Sequence, residues 1–136
     1  MNALRSADFH HPVRIYWEDT DAGGVVFYAN YLKYFERART EWLRHRGIDQ
    51  SALRAQDGTV FVVAESNVRY LRPARLDDLL DVTVALIETG RASMAVEQVV
   101  WRGDERLVEA QVRIGCVDVA TFKPRRMPTP LLPQVH

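Results

Sequence analysis

The sequence contains a single cysteine, Cys116. One cysteine cannot form a disulfide within the chain or a cysteine-rich metal site. Its apolar, strand-like surroundings, RIGCVDV, favour a buried and inert thiol over a reactive nucleophile.

The chain also lacks net charge and long apolar runs. Eighteen lysines and arginines balance eighteen aspartates and glutamates, so we expect no nucleic-acid partner. No stretch approaches the roughly 18 apolar residues of a membrane helix, which predicts no stable membrane insertion. The first residues, MNALRSADFHH, lack the apolar core of a secretory signal. The cytoplasm is therefore the expected compartment.

Motifs for metals and nucleotides are missing as well. A calcium loop beginning at Asp19 would have asparagine where the twelfth position needs a bidentate glutamate. Gly23 and Gly24 do not form the G-x-G-x-x-G loop of dinucleotide-binding proteins. The histidines show no zinc-ligand spacing; they are His10, His11, His45 and His136. We expect neither a metal nor a resident cofactor.

The first half of the chain predicts one strand and two helices. The strand is expected at residues 11–17, and helical spacing of apolar residues extends from Tyr28 to about Arg46, with Gly47 as a stop. A second helix is expected at residues 50–56, capped by Asp49. The apolar face of the long helix comprises Tyr31, Leu32, Phe35, Ala38, Trp42 and Leu43.

Four strands follow, with hairpin-type breaks at residues 89–91 and 103–104. The sequence therefore predicts a single α+β domain over residues 1–136, in which the long helix crosses one face of a five-stranded antiparallel sheet. A flexible N-terminus and a proline-rich surface tail from Lys123 flank it. Uncovered strand edges and the second sheet face favour a homo-oligomer, either a dimer or a tetramer.

The junction EDTDAGGVVFYAN, residues 18–30, carries the most chemistry. A carboxylate directly precedes a helix start, where unpaired N–H groups and the helix dipole stabilise negative charge. An acyl carbonyl there would be polarised, and a carboxylate could attack it or activate water. Gly23 and Gly24 would let the backbone approach a substrate. The alternative is that Asp19 and Asp21 are only turn and cap residues.

The stretch YWEDTDAGGVVFYANYLKYFERARTEWL resembles hot-dog-fold acyl-CoA thioesterases of the 4-hydroxybenzoyl-CoA thioesterase type, especially the branch associated with the Tol–Pal system. YLRPARLDDLLDV extends the resemblance, which covers residues 12–128. It implies a hot-dog fold, with a long central helix wrapped by the sheet. It also implies hydrolysis of short- to medium-chain acyl-CoA, in which CoA enters as part of the substrate. Acyl carrier protein is an alternative carrier.

The resemblance also assigns roles near the junction. Asp21 takes the place of the catalytic aspartate, as nucleophile or general base, and the Tyr28 backbone N–H that of the oxyanion donor. Asp19 becomes a supporting residue, and Asn30 positions the helix start and the substrate. Tyr28 departs from the histidine common in the Tol–Pal branch, which removes an imidazole from this position.

Further substrate contacts are implied for four more residues. Glu36 occupies a substrate-facing acidic position, although an ion pair with Arg39 would explain it equally. Arg91, Arg125 and Arg126 correspond to regions that hold CoA phosphates, with solvated surface charge as the alternative.

Two other functions compete with thioester hydrolysis. A related dehydratase needs a histidine base, and no histidine lies near the motif. A binding module for acyl thioesters or acyl carrier protein, associated with the cell envelope machinery, would bind thioesters without turning them over.

Overall fold

The computed structural model describes residues 7–132, so the predicted flexible N-terminus lies largely outside the described residues. It contains one antiparallel sheet and two helices, which confirms the α+β prediction. The elements are β1 (Phe9–Arg14), α1 (Asn30–His45), α2 (Gln50–Asp57), β2 (Thr59–Tyr70), β3 (Leu79–Thr89), β4 (Ser93–Arg102) and β5 (Glu105–Asp118). Two short 3-10 helices span Trp17–Asp19 and Thr129–Leu131.

The five strands form one sheet in the order β1-β3-β4-β5-β2. All neighbours are antiparallel, and the two predicted hairpins connect β3 to β4 and β4 to β5. The chain enters β2 directly after the helices, and β2 pairs along β5 with a bulge at Ala64. This order leaves β1 and β2 as the two edges of the sheet.

Helix α1 packs its apolar stripe on the sheet, as predicted, with two differences. Leu32 is 47% exposed, whereas Tyr34 is buried at 1% exposure. Tyr34 lies one turn from Tyr31 on the core side, so its ring rather than Leu32 fills that space. The chain leaves the helix through Gly47, whose φ of 82° requires the left-handed region, and this confirms the predicted stop. No helix in the described part of the chain is long and apolar enough to span a membrane.

The first strand ends earlier than predicted. It stops at Arg14 instead of continuing to Trp17. The carboxylate of Asp19 accepts a hydrogen bond from the Tyr16 N–H at 2.8 Å, which stabilises a 3-10 turn at Trp17–Asp19. The turn redirects the chain toward the loop that precedes α1.

Two side chains anchor the C-terminal segment to the core, although most of its described residues are exposed or half-buried. Met127 and Leu131 are 2% and 1% exposed, respectively, and belong to the core. The Met127 N–H donates to the Arg91 carbonyl oxygen at 2.7 Å, which fixes the segment against the β3–β4 turn. Its apolar residues, rather than its prolines, decide its position.

A polar cluster lies between α1 and the sheet. Gln98 of β4 is fully buried, and its amide nitrogen donates to the carbonyl oxygens of Phe35 and Thr83 at 3.1 and 3.3 Å. Its side-chain oxygen accepts from an Arg39 guanidinium N–H at 3.0 Å. These bonds tie the middle of α1 to the centre of the sheet.

Candidate active site

The loop from Asp19 to Phe27 is a closed turn at the start of α1. The Asp19 carbonyl oxygen accepts from the Phe27 N–H at 3.0 Å and from the side-chain amide of Asn30 at 2.9 Å. Val25 forms a bridge with Arg75, which holds the loop against the segment before β3. The Asn30 side chain thus joins the first residue of α1 to the loop.

Asp21 has one carboxylate oxygen fixed and the other free. Oδ1 accepts from the Gly23 N–H at 2.8 Å, while Oδ2 has no hydrogen-bond partner among residues 7–132. The side chain is exposed to solvent. Gly24, with a φ of 80°, needs the conformational freedom of glycine. The turn geometry expected for a structural aspartate is present, but it leaves an oriented oxygen available for chemistry.

Two backbone donors at the start of α1 are unpaired. The N–H groups of Tyr28 and Ala29 have no acceptor within the described residues, whereas the N–H of Asn30 already donates to the Phe27 carbonyl. Helix starts concentrate positive partial charge at such groups. Their free N–H groups can stabilise an oxyanion. Sequence reasoning identified the Tyr28 donor and missed the one at Ala29.

Aromatic side chains surround this helix start. The ring of Tyr70, at the end of β2, lies 6.0 Å from that of Tyr28 and 5.8 Å from that of Tyr31. Phe27 packs on Tyr28 with a ring distance of 5.0 Å. Tyr28 is nevertheless 63% exposed. The two unpaired donors therefore adjoin an apolar surface that faces outward.

One oxygen of the Asp19 carboxylate accepts from the Tyr16 N–H and supports the turn, and the carboxylate also faces the buried Tyr34 hydroxyl, so it is more enclosed than that of Asp21. Tyr34 places its buried hydroxyl close enough to this carboxylate to interact with it, and no other partner for the hydroxyl lies in the part of the chain described. Burial and the Asp19 carboxylate raise the pKa of Tyr34, so the phenol stays neutral. Helical spacing from Tyr31 was the signal that could have shown Tyr34 to be buried.

Glu36 lies about two turns along α1, roughly 12 Å from Tyr28 on the helix axis. Its carboxylate accepts from the Thr40 hydroxyl at 3.3 Å. The alternative ion pair with Arg39 is absent among the described residues, because Arg39 turns to Gln98 instead. Burial lowers the pKa of Arg39, and the charge of Glu36 partly opposes that shift. Glu36 is exposed and separate from the Asp21 loop.

The three arginines predicted near CoA phosphates lie at the other end of the molecule. Arg125 donates to the Asp118 carboxylate at 2.9 Å, next to the start of β2. The Asp21 loop lies near the opposite end of β2, at Tyr70. The length of β2, from Thr59 to Tyr70, separates the two regions by roughly 36 Å. Arg125 lowers the pKa of Asp118 to about 2 and is already engaged in this pair.

Arg91 and Arg126 are exposed and lie close to Arg125, because Met127 bonds to the Arg91 carbonyl. Within one chain, the predicted phosphate contacts and the predicted catalytic loop are therefore not brought together.

The structure also bears on the cysteine and on possible metal sites. Cys116 is buried, as predicted, and burial raises the pKa of its thiol. Residues 7–132 contain no group of three or more histidine, cysteine or acidic side chains that could hold a metal ion.

An antiparallel sheet around one long helix, with an acidic loop before the helix, defines a hot-dog domain. The family model described as "Thioesterase superfamily" matches residues 23–109. The chain belongs to the thioesterase superfamily and is a thioester hydrolase.

Relatives extend over nearly the whole chain. It is 45% identical over 121 residues to the acyl-CoA thioester hydrolase YbgC of Escherichia coli O157:H7, covering 88% of this chain and 90% of that protein. The acyl-CoA thioesterase YbgC of Haemophilus influenzae is 42% identical, with 94% of both chains covered. A probable thioesterase from Bartonella henselae superposes with a TM-score of 0.82 at 35% identity, over 88% of this chain and 98% of that structure.

Proposed function

We propose that this protein hydrolyses acyl-CoA to a free acid and CoA, with Asp21 as the catalytic carboxylate. One observation carries the proposal. The Asp21 carboxylate has a free oxygen, and the loop that holds it leads directly to the unpaired N–H groups of Tyr28 and Ala29. The YbgC relatives carry the name acyl-CoA thioesterase or thioester hydrolase, which supports the choice of substrate.

The thioester carbonyl oxygen lies at the helix start and receives hydrogen bonds from Tyr28 and Ala29. As charge develops on this oxygen, the two donors stabilise it. Asp21 then acts in one of two ways. It attacks the carbonyl carbon, expels the CoA thiolate and forms a mixed anhydride that water cleaves, or it takes a proton from the attacking water.

A homo-oligomer, dimer or tetramer, completes the site in this proposal. Exposed apolar side chains around the helix start, such as Trp17 at 79% and Tyr28 at 63%, are suited to burial against a second copy. Because Arg91, Arg125 and Arg126 lie far from Asp21 in their own chain, a neighbouring copy would bring them to the CoA phosphates. Arg125 would do so while still paired with Asp118.

The test is thiol release from short-, medium- and long-chain acyl-CoAs and from acyl carrier protein thioesters. We expect steady turnover of short- to medium-chain acyl-CoA in the cytoplasmic pH range. Saturable binding of the same thioesters without any thiol release would instead identify a binding module and contradict the proposal.

A further inference from the structure

A groove between α1 and β2 extends away from the start of α1. At its mouth, Tyr70 of β2 contacts the rings of Tyr28 and Tyr31. Because earlier residues of β2 face later residues of α1, the two elements continue side by side away from the mouth. The first cavity along the groove, of about 150 Å³, is lined by Leu32, Phe35 and Arg39 of α1 and by Val63, Ser66 and Val68 of β2.

A second cavity, of about 160 Å³, continues the groove toward α2. Its polar lining is Glu36, Arg39, Thr40 and Gln50, and its apolar lining is Leu43, Phe61, Val62, Val63, Met94 and Ile114. Arg39 and Val63 border both cavities. Arg39 thus lies between a mainly apolar section, on the side of the helix start, and a section that also holds polar side chains.

Arg39 has unused hydrogen-bonding capacity. Arg39 is half-buried, and one of its guanidinium N–H groups donates to Gln98 at 3.0 Å. The other guanidinium N–H groups have no partner within residues 7–132. No carboxylate of the described chain forms an ion pair with it. The two acids on its own helix are engaged elsewhere: Glu36 is exposed and bonds to Thr40, and Glu41 pairs with Arg44. Glu36 nevertheless borders the same cavity and acts on the charge of Arg39. A half-buried cation without a direct ion pair, bordering a groove, is suited to binding an anionic ligand.

We propose that Arg39 binds a carboxylate at the far end of the acyl chain, so that the preferred substrates are ω-carboxyacyl thioesters. This inference rests on the proposed function, because it places the thioester at Tyr28 and the acyl chain in the groove. Leu32, Phe35 and Val68 contact the methylene chain. The planar guanidinium then pairs with the terminal carboxylate through two parallel hydrogen bonds.

The groove also sets the length of the chain. Roughly 16 Å of helix axis separates Tyr28 from Arg39. Because helical side chains lean toward the N-terminus, the Arg39 guanidinium lies closer to Tyr28 than its backbone does. The remaining distance suits an acyl chain of about eight to ten carbons. A simple fatty acyl chain of that length would place a methyl group against the guanidinium and leave its N–H groups unpaired. Substrates with and without the carboxylate should therefore differ strongly.

The experiment compares kcat/KM for octanedioyl-CoA and octanoyl-CoA on three proteins: the wild type, Arg39→Met and Arg44→Met. Arg44 is the matched control, since it lies on the same helix, is exposed and pairs with Glu41 outside the groove. We expect the wild type and Arg44→Met to favour octanedioyl-CoA by about tenfold or more. Arg39→Met should lose that preference, and Arg39→Lys should keep part of it.

The ratio of kcat/KM for octanedioyl-CoA to kcat/KM for octanoyl-CoA in the wild type tests this inference even if the Arg39 variants do not fold. A wild-type enzyme that hydrolyses octanoyl-CoA as well as or better than octanedioyl-CoA overturns this inference and leaves the proposed function standing. Retention of the preference in folded Arg39→Met overturns the role of Arg39. Failure to hydrolyse either substrate, or any other acyl-CoA, contradicts the proposed function and this inference with it.

Discussion

Gln98→Met should destabilise the fold by about 2–3 kcal/mol. Methionine matches glutamine in length and shape, so the change removes hydrogen bonds without opening a large cavity. The fully buried amide makes three side-chain bonds, to Arg39, Phe35 and Thr83. The bond to Arg39 is charge-assisted, and bonds of that kind contribute about 1.5–3 kcal/mol. Because water can reach the half-buried guanidinium of Arg39, the total loss of unfolding free energy stays within this range.

The assay is urea unfolding at one fixed protein concentration, since assembly would shift apparent stability. Glu97→Met is the control because Glu97 is exposed on the same strand, and we expect its effect to stay within about 0.5 kcal/mol. An unchanged m-value would show that the denatured state is the same in both variants. A Gln98→Met protein as stable as Glu97→Met would refute the view that this buried cluster holds α1 to the sheet.

Three further outcomes can be checked with the same purified protein. Native Cys116 should not react with a thiol reagent, since burial raises the pKa of the thiol; reaction within the dead time of mixing would contradict its buried position. Turnover should survive exhaustive treatment with EDTA, and loss of activity that one added metal ion restores would overturn the mechanism. Tyr28→Phe should keep most turnover because the backbone N–H remains, whereas a loss of about 100-fold on every acyl-CoA would mean that the phenol takes part in proton transfer.

Local patterns in the sequence were sufficient for most of the fold. The helical spacing of apolar residues predicted α1, and Gly47 and Asp49 marked its end and the start of α2. Asp49 accepts from the Ala52 N–H at 3.1 Å, as a helix cap does. These features depend on residues close together in the chain, which is why they can be read without knowledge of tertiary contacts.

Features that depend on distant residues were not predictable in the same way. The pairing of Arg39 with Gln98 joins positions 59 residues apart, and it becomes visible only when β4 is placed under α1. The pair between Arg125 and Asp118 likewise needs the path of the C-terminal segment, which its prolines suggested to be on the surface. At the candidate site, the motif predicted Asp21 and Tyr28, but the free N–H of Ala29 depends on the geometry of the turn.

The most direct test of the central claim is the turnover number of Asp21→Asn on a medium-chain acyl-CoA. Asparagine keeps an oxygen that can accept from Gly23, so the loop and the thermal stability should be preserved. The free anionic oxygen is lost, and we expect kcat to fall by about 100-fold or more, while Asp19→Asn has a milder effect. A folded Asp21→Asn protein with near wild-type turnover would contradict the assignment, and a larger loss in Asp19→Asn would show that the other aspartate carries the chemistry.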